Sequence, residues 1–170
     1  YVHPAIPEGV EEGICKGMYL LQDAEAPKPK AKGKDKEAPR VQLLGSGSIL
    51  REVLAAAELL EQDFGVAADV WSATSFTELR RDGIETERWN RLHPTEKRRK
   101  SYVEECLGSR PGSVVASTDY MRAIADQIRP FVAGRYLTLG TDGYGRSDSR
   151  ARLRSFFEVD RHHVTVAALK

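Results

Sequence analysis

Short apolar runs alternate with amphipathic stretches along most of this chain, and this alternation restricts its fold more than any other feature. The apolar runs are predicted to be strands at residues 41–44, 66–73, 113–116, 136–139 and 164–169. Apolar residues recur at three- and four-residue spacing from Ile49 to Phe64, which predicts a helix with Ser48 as its N-cap and Gly65 just past its end. Strands that alternate with helices favour a mostly parallel sheet, because right-handed crossovers place helices on both of its faces. We therefore predict an α/β fold, a three-layer, doubly wound, mostly parallel sheet of about five strands.

Local signals refine the helix boundaries and the end of the chain. Ser75 and Glu78 have capping-box spacing, so a helix is expected to begin there, with Gly83 interrupting it and Pro94 ending it. The polar, basic residues 95–112 are expected to be irregular.

Three regions are expected along the chain. Residues 1–23 form an N-terminal segment with a short helix and an edge strand. Residues 24–40 are a Lys/Pro/Ala-rich insert that we expect to be disordered, because prolines and like charges favour an extended loop. Residues 41–170 form the α/β domain. The first four residues, YVHP, are neither a signal peptide nor an initiation site, so we interpret the chain as a fragment of a larger protein.

Composition argues against several classes of function. The 26 basic and 25 acidic residues leave a formal charge of +1, which gives no general reason to expect a nucleic acid or an anionic membrane as partner. No run approaches the ~18 apolar residues of a membrane span. Cys15 and Cys106 form no CxxC pair and no disulfide framework, which is typical of a reducing, cytoplasmic compartment.

Two motifs suggest a ligand without specifying one. Gly45 and Gly47 follow a strand and open a helix, as in a dinucleotide-binding loop, but the position of the third glycine is Leu50. A plain tight turn and a Rossmann-like nucleotide site therefore both remain open. Residues 140–148 contain three glycines and leave the carboxyl end of a strand, where open α/β sheets bind ligands. There we expect Asp142 and Arg146 to form a charge-assisted hydrogen bond that holds the loop. The segment could serve as an interface, as a ligand contact or as a plain loop, and these three interpretations remain open.

The histidines do not predict a metal site. His93, His162 and His163 lack the HxH or HxxxH spacing of metal ligands. His162 and His163 begin the predicted last strand, so their side chains are expected on opposite faces of the sheet.

Segments spread over nearly the whole chain share the pattern of one known family. They are IPEGVEEGICKG at 6–17, VQLLGSGSILR at 41–51, SFTEL at 75–79, RDG at 81–83, ERWN at 87–90, LHP at 92–94, ASTDYM at 116–121 and LGTDGYGRSDSR at 139–150. Together they resemble the C-terminal, transketolase-like domain of homodimeric, bacterial-type pyruvate dehydrogenases. The Lys/Pro-rich insert is the main departure from the family, and it lies outside these segments.

The resemblance implies an enzyme that oxidatively decarboxylates pyruvate on thiamine diphosphate with Mg²⁺ and passes the acetyl group to a lipoyl group. In that family the cofactor lies between the N-terminal and middle domains, so the resemblance assigns no catalytic, cofactor-binding or metal-binding residue to this chain, and we expect the fragment alone to be inactive. The implied partners are those two domains, the second subunit of a homodimer and a lipoyl-bearing acyltransferase component, with neither nucleic acid nor membrane.

The resemblance also implies a supporting role, at an interface or near the active site, for residues that leave the carboxyl ends of two strands. These residues are Ser75, Phe76, Glu78, Asp142, Gly143, Tyr144, Gly145 and Arg146. Two other functions remain as alternatives: a Rossmann-like nucleotide-binding domain, and a non-enzymatic docking module whose basic insert holds an acyltransferase partner.

Overall fold

The computed structural model describes residues 2, 4–24 and 39–170. The insert predicted to be disordered, residues 24–40, lies mostly outside the described residues. A single five-stranded sheet runs in the order β1-β3-β2-β4-β5. Its strands are β1 (Met18–Gln22), β2 (Arg40–Gly45), β3 (Ala67–Ala73), β4 (Val114–Ser117) and β5 (Tyr136–Leu139). Strands β2 to β5 run parallel to one another, and β1 pairs with β3 in the antiparallel direction as an edge strand.

Helices cover both faces of this sheet. They are α1 (Glu11–Lys16), α2 (Leu50–Leu59), α3 (Phe76–Leu92), α4 (Tyr102–Leu107), α5 (Arg122–Asp126), α6 (Arg150–Phe156) and α7 (Arg161–Leu169). Residues of α3, α4 and α5 form one apolar cluster with the sheet, and residues of α2 and α7 form the other. The predicted three-layer α/β fold is therefore confirmed. No helix of the described segments is long and apolar enough to cross a membrane.

The strands are buried on both faces, which explains why they are continuous apolar runs in the sequence. Within β4, Val114 and Ala116 belong to the cluster of α3 to α5, and Val115 belongs to the cluster of α2 and α7. Successive side chains of a strand point to opposite faces, so a strand between two helical layers needs apolar residues at every position.

The predicted last strand, residues 164–169, is wrong, because these residues belong to helix α7. The Asp160 carboxylate caps this helix by accepting hydrogen bonds from the backbone N–H groups of His162 and His163, each at 3.0 Å. Val164 is buried against α2, whereas Val166 is 65% exposed, so burial follows a helical face. The cap and the packing outweigh the strand preference of a Val-Thr-Val run. His162 and His163 therefore lie on a helix and not on opposite faces of a strand.

Three further local predictions are also wrong. Helix α3 continues through Gly83, where a Cβ would lie 2.4 Å from an edge carbon of Phe131, so this glycine permits close packing instead of ending the helix. Residues 95–112 are not irregular throughout, because Ser101 and Glu104 form a complete capping box that begins α4. Ser48 does not cap α2, since the helix is preceded by a 3₁₀ turn at Gly47–Ile49.

Candidate functional site

The carboxyl ends of β2, β4 and β5 meet at one edge of the sheet, which we call the carboxyl edge. From β2, the chain passes through α2 to β3 on one side, whereas β4 and β5 extend the sheet on the other side. This reversal is the position at which open α/β sheets form a ligand-binding crevice. A crevice of about 730 Å³ lies there, and it is lined by loops after these strands and by α6.

A carboxylate of the chain itself occupies the helix start that faces this crevice. A Cβ on Gly47 would lie 3.0 Å from Asp119 Oδ1, and the Ser48 hydroxyl donates a hydrogen bond to Asp119 Oδ2 at 3.2 Å. The start of a helix attracts anions and is the usual place for a phosphate in this fold. Because the Asp119 carboxylate already lies at this helix start, a phosphate group could not take the usual position of this fold without displacing it. The crevice is also lined by Arg146, Arg150 and Arg154, so it is this helix start, and not the crevice as a whole, that is closed to an anion.

The described part of the chain also offers no group of three or more His, Cys, Asp or Glu side chains placed to hold a metal ion.

The predicted loop residue Asp142 is an anchor between the loop after β5 and helix α5. Its carboxylate accepts hydrogen bonds from the backbone N–H of Arg122 at 2.8 Å and from Arg122 Nε at 2.5 Å. The backbone hydrogen bond and the guanidinium of Arg122 hold the pKa of Asp142 below its ordinary value. The predicted bond between Asp142 and Arg146 is wrong, because the Arg146 guanidinium lies over the Phe156 ring, 4.1 Å from its centroid.

The tip of the same loop projects from the domain. Gly143 has a φ of +94°, which favours glycine, and a Cβ at Gly143 or Gly145 would meet no atom within 4 Å. The Tyr144 side chain between them is 95% exposed. An aromatic side chain in this position contributes no packing to the domain and is available for contact with another surface.

The second predicted segment, at the start of α3, is held by a helix cap and by the apolar core. The Ser75 hydroxyl accepts a hydrogen bond from the Glu78 backbone N–H at 3.1 Å and so caps the helix, as predicted. Phe76 is only 3% exposed and belongs to the core. Glu78 is paired with Arg81 Nε at 2.9 Å, and this hydrogen bond lowers the pKa of Glu78. The contacts that the structure shows for this segment all lie within the domain, and its supporting role at an interface stays a prediction.

The two predicted segments share the carboxyl edge but are not close together. They follow β3 and β5, which are separated by β2 and β4. Three strand spacings place the ends of β3 and β5 about 14 Å apart.

A buried carboxylate beside the crevice was missed by the sequence reasoning. Glu52 on α2 accepts hydrogen bonds from Arg154 Nη1 at 2.7 Å and from Arg161 Nε at 3.0 Å, which fastens α6 and α7 to α2. Burial alone would raise the pKa of Glu52, but the hydrogen bonds and charges of Arg161 and Arg154 outweigh it, and the pKa is lowered. The sequence did offer a signal for this residue, because Glu52 stands at helical spacing among the apolar residues Ile49, Val53 and Ala56. An acidic residue on the buried face of a helix indicates a paired carboxylate, since a buried charge is tolerated only with a partner.

Comparison with known proteins assigns the chain to a family. The model of the transketolase-like TK C-terminal domain matches residues 17–160, so the chain belongs to the transketolase-like C-terminal domain family. It is 62% identical over 171 residues to the pyruvate dehydrogenase E1 component of Pseudomonas aeruginosa, and it is 56% identical over 170 residues to that of Escherichia coli. These matches cover 100% and 99% of the chain but only 18% of each relative, so the chain spans less than a fifth of their length.

Solved structures of transketolases share the fold. The transketolase of Campylobacter jejuni aligns with a TM-score of 0.55 at 21% identity, covering 91% of this chain and 18% of that one. A split-gene transketolase, an inactive β4 tetramer, aligns with a TM-score of 0.55 at 16% identity, covering 91% of this chain and 41% of that one. The resemblance identified from the sequence segments is confirmed at the level of family and fold.

Proposed function

We propose that the chain is the C-terminal domain of a thiamine-diphosphate-dependent pyruvate dehydrogenase, an enzyme that oxidatively decarboxylates pyruvate and transfers the acetyl group to a lipoyl group. The supporting observation is the 62% identity to a pyruvate dehydrogenase E1 component, which extends over the whole chain. The parent is proposed to be a cytoplasmic homodimer that also binds a lipoyl-bearing acyltransferase component. Thiamine diphosphate and Mg²⁺ are assigned to other parts of this parent, in keeping with the Asp119 carboxylate that lies at the helix start after β2.

Within the parent, the domain acts in assembly and not in chemistry. Its contact element is the loop tip around Tyr144, which meets the N-terminal or middle domain or the second subunit. Two features of the loop support this role: Asp142 anchors its base to Arg122, and Tyr144 at its tip is 95% exposed. A contact residue on an anchored loop loses little conformational freedom on binding, so more of its contact energy stabilises the complex.

The test uses the full-length parent with the substitutions Tyr144→Ala and Asp142→Ala. Each is expected to shift the dimer–monomer equilibrium towards monomer in sedimentation velocity, and activity should fall at low enzyme concentration and recover at high concentration. Asp126→Ala is the matched control, because it removes another exposed aspartate–arginine pair, with Arg129, that contains neither a residue of this loop nor Arg122. A Tyr144→Ala or Asp142→Ala enzyme with a normal dimer, a normal thermal transition and little activity at every concentration would indicate a direct catalytic role instead.

Location of the cofactor site is tested separately by titrating the 170-residue chain with thiamine diphosphate and Mg²⁺ in a calorimeter. No saturable heat is expected, with circular dichroism as the control that the chain is folded. Stoichiometric binding would place at least part of the cofactor site in this chain and would contradict an assembly role.

A further inference from the structure

The second half of α3 and the loop after it form an exposed arm. All ten residues from Arg91 to Lys100 are exposed, and no residue between Gly83 and Ser101 is buried. We call residues 88–100 the basic arm. Helix α3 begins at the carboxyl edge, and at 1.5 Å per residue the arm starts about 20 Å away from it. The basic arm is therefore a different surface from the loop tip around Tyr144.

The basic arm is held in one conformation by contacts within itself. The Asn90 side chain donates a hydrogen bond to the Arg99 carbonyl at 3.0 Å and accepts one from the Arg99 backbone N–H at 2.8 Å. The Arg99 guanidinium lies 3.5 Å from the centroid of the Trp89 ring, and the His93 ring stacks on Trp89 with centroids 4.4 Å apart. These contacts order an element that contributes no buried side chain to the domain.

The charge of the basic arm is unbalanced. It contains six arginine or lysine residues and one carboxylate, Glu96. Arg98 pairs with Glu104 at 2.7 Å, but within the described part of the chain no carboxylate pairs with the four remaining unstacked cations. These cations are Arg88, Arg91, Lys97 and Lys100.

We propose that the basic arm is a docking surface for an acidic surface of a separate protein. A preorganised element loses little conformational freedom on binding, and its unpaired cations attract carboxylates and accelerate encounter. Obligate interfaces are large and apolar, whereas this surface is charged and polar, as in interfaces that form and dissociate. Such a surface suits a separate protein that associates reversibly, and coverage of the arm by the remainder of the parent chain would instead prevent an acidic peptide from binding the full-length parent.

Protein is favoured over nucleic acid as the occupant by two observations. Proteins that bind DNA tightly neutralise about 6–10 phosphates, more than the four unpaired cations of the arm supply. Single strands are bound by aromatic side chains on which bases stack, but Trp89, the arm's only such ring apart from His93, is already stacked with Arg99 and His93.

The test measures binding of a fluorescent 20-residue polyglutamate peptide to the full-length parent by anisotropy, at low and physiological salt. Lys97→Glu with Lys100→Glu is expected to raise the dissociation constant at least tenfold. The matched control is Arg80→Glu with Arg135→Glu, which changes the net charge equally at two exposed cations outside the arm and should leave the constant within twofold. Trp89→Ala, which keeps every charge but removes the stack, should weaken binding several-fold.

Three results would overturn the proposal. The first is no saturable binding of the peptide to the wild type. The second is an equal loss of affinity in the control variant, which would show that binding depends on the net charge of the protein and not on the arm. The third is tighter binding of a 20-nucleotide oligothymidine than of the peptide, which would make the arm a nucleic-acid surface. None of these results depends on the reaction that the parent catalyses.

Discussion

Replacement of Asp69 should destabilise the domain more than any other single loss of charge. Asp69 lies in β3 with no exposed side-chain surface. Its Oδ1 accepts hydrogen bonds from Arg40 Nη1 at 2.7 Å and from the Ala24 backbone N–H at 3.0 Å. Its Oδ2 accepts hydrogen bonds from Gln42 Nε2 at 2.7 Å and from Arg110 Nη1 at 3.1 Å. One carboxylate thus joins β2, β3 and the segments on both sides of the insert.

The expected cost of Asp69→Ala follows from the partners that it leaves behind. Breaking a buried ion pair by removing one member costs about 3–5 kcal/mol, because the remaining charge and donors stay in a poorly hydrated place. Asp69→Asn should also be strongly destabilising. Both oxygens of Asp69 face two donors, so either orientation of the amide would point its NH₂ group at donors.

The assay is urea unfolding of the 170-residue chain, followed by circular dichroism, with Asp23→Ala as the matched control. Asp23 bonds the same two guanidinium groups, of Arg40 and Arg110, but its side chain is 59% exposed. Solvent-exposed ion pairs contribute about 0–1 kcal/mol to the free energy of unfolding. With a denaturant slope of about 2 kcal/mol per molar urea, the midpoint should fall by about 1.5–2.5 M for Asp69→Ala and by less than about 0.5 M for Asp23→Ala. Equal shifts for the two variants would refute the reasoning, since burial would then not decide the energy of this network.

Two further predictions concern Glu52 and Gly83. Because the pKa of Glu52 is lowered on folding, its stabilisation is present above the ordinary value of 4.5 and is lost as pH falls through the lowered pKa. The free energy of unfolding of Glu52→Gln should therefore fall less steeply below pH 4.5 than that of the wild type, and parallel curves would contradict the assignment. Gly83→Ala should cost about 1–3 kcal/mol through overpacking against Phe131, although alanine favours helices. Gly145→Ala, which enters open space, is its control, and an unchanged urea midpoint for Gly83→Ala would contradict the packing argument.

The sequence predicted the sheet well because its strands are buried on both faces. Leu43 and Leu44 pack into opposite apolar clusters, so a continuous apolar run was the correct signal for a parallel strand. The same signal failed at residues 164–169, since a short apolar run with β-branched residues also suits a half-buried helix. The Asp160 cap marks that helix, and it was the local feature that should have decided between the two structures.

The contacts of the candidate site were harder to predict because they join segments distant in the chain. Arg146 lies four residues from Asp142 and was the nearest cation in the sequence, yet the sheet order places α5 and its Arg122 closer. The exposed position of Tyr144 and the buried position of Phe76 also depend on tertiary packing, and their sequence contexts at strand ends are alike. Spacing identified which loops lie at the carboxyl edge but not which of their side chains are accessible.

The absence of a third glycine after β2 and the position of Asp119 have a common explanation. Leu50 takes the place of that glycine and packs on Gly45, where a Cβ would lie 2.8 Å from Leu50 Cδ1. The helix therefore packs closely through a leucine, and the Asp119 carboxylate takes the position of a phosphate at its start. An open α/β sheet whose usual anion position is filled by its own side chain keeps the sheet and the exposed loops at its carboxyl edge. Those features suit contact between domains, so the geometry of this edge agrees with the proposed role in assembly.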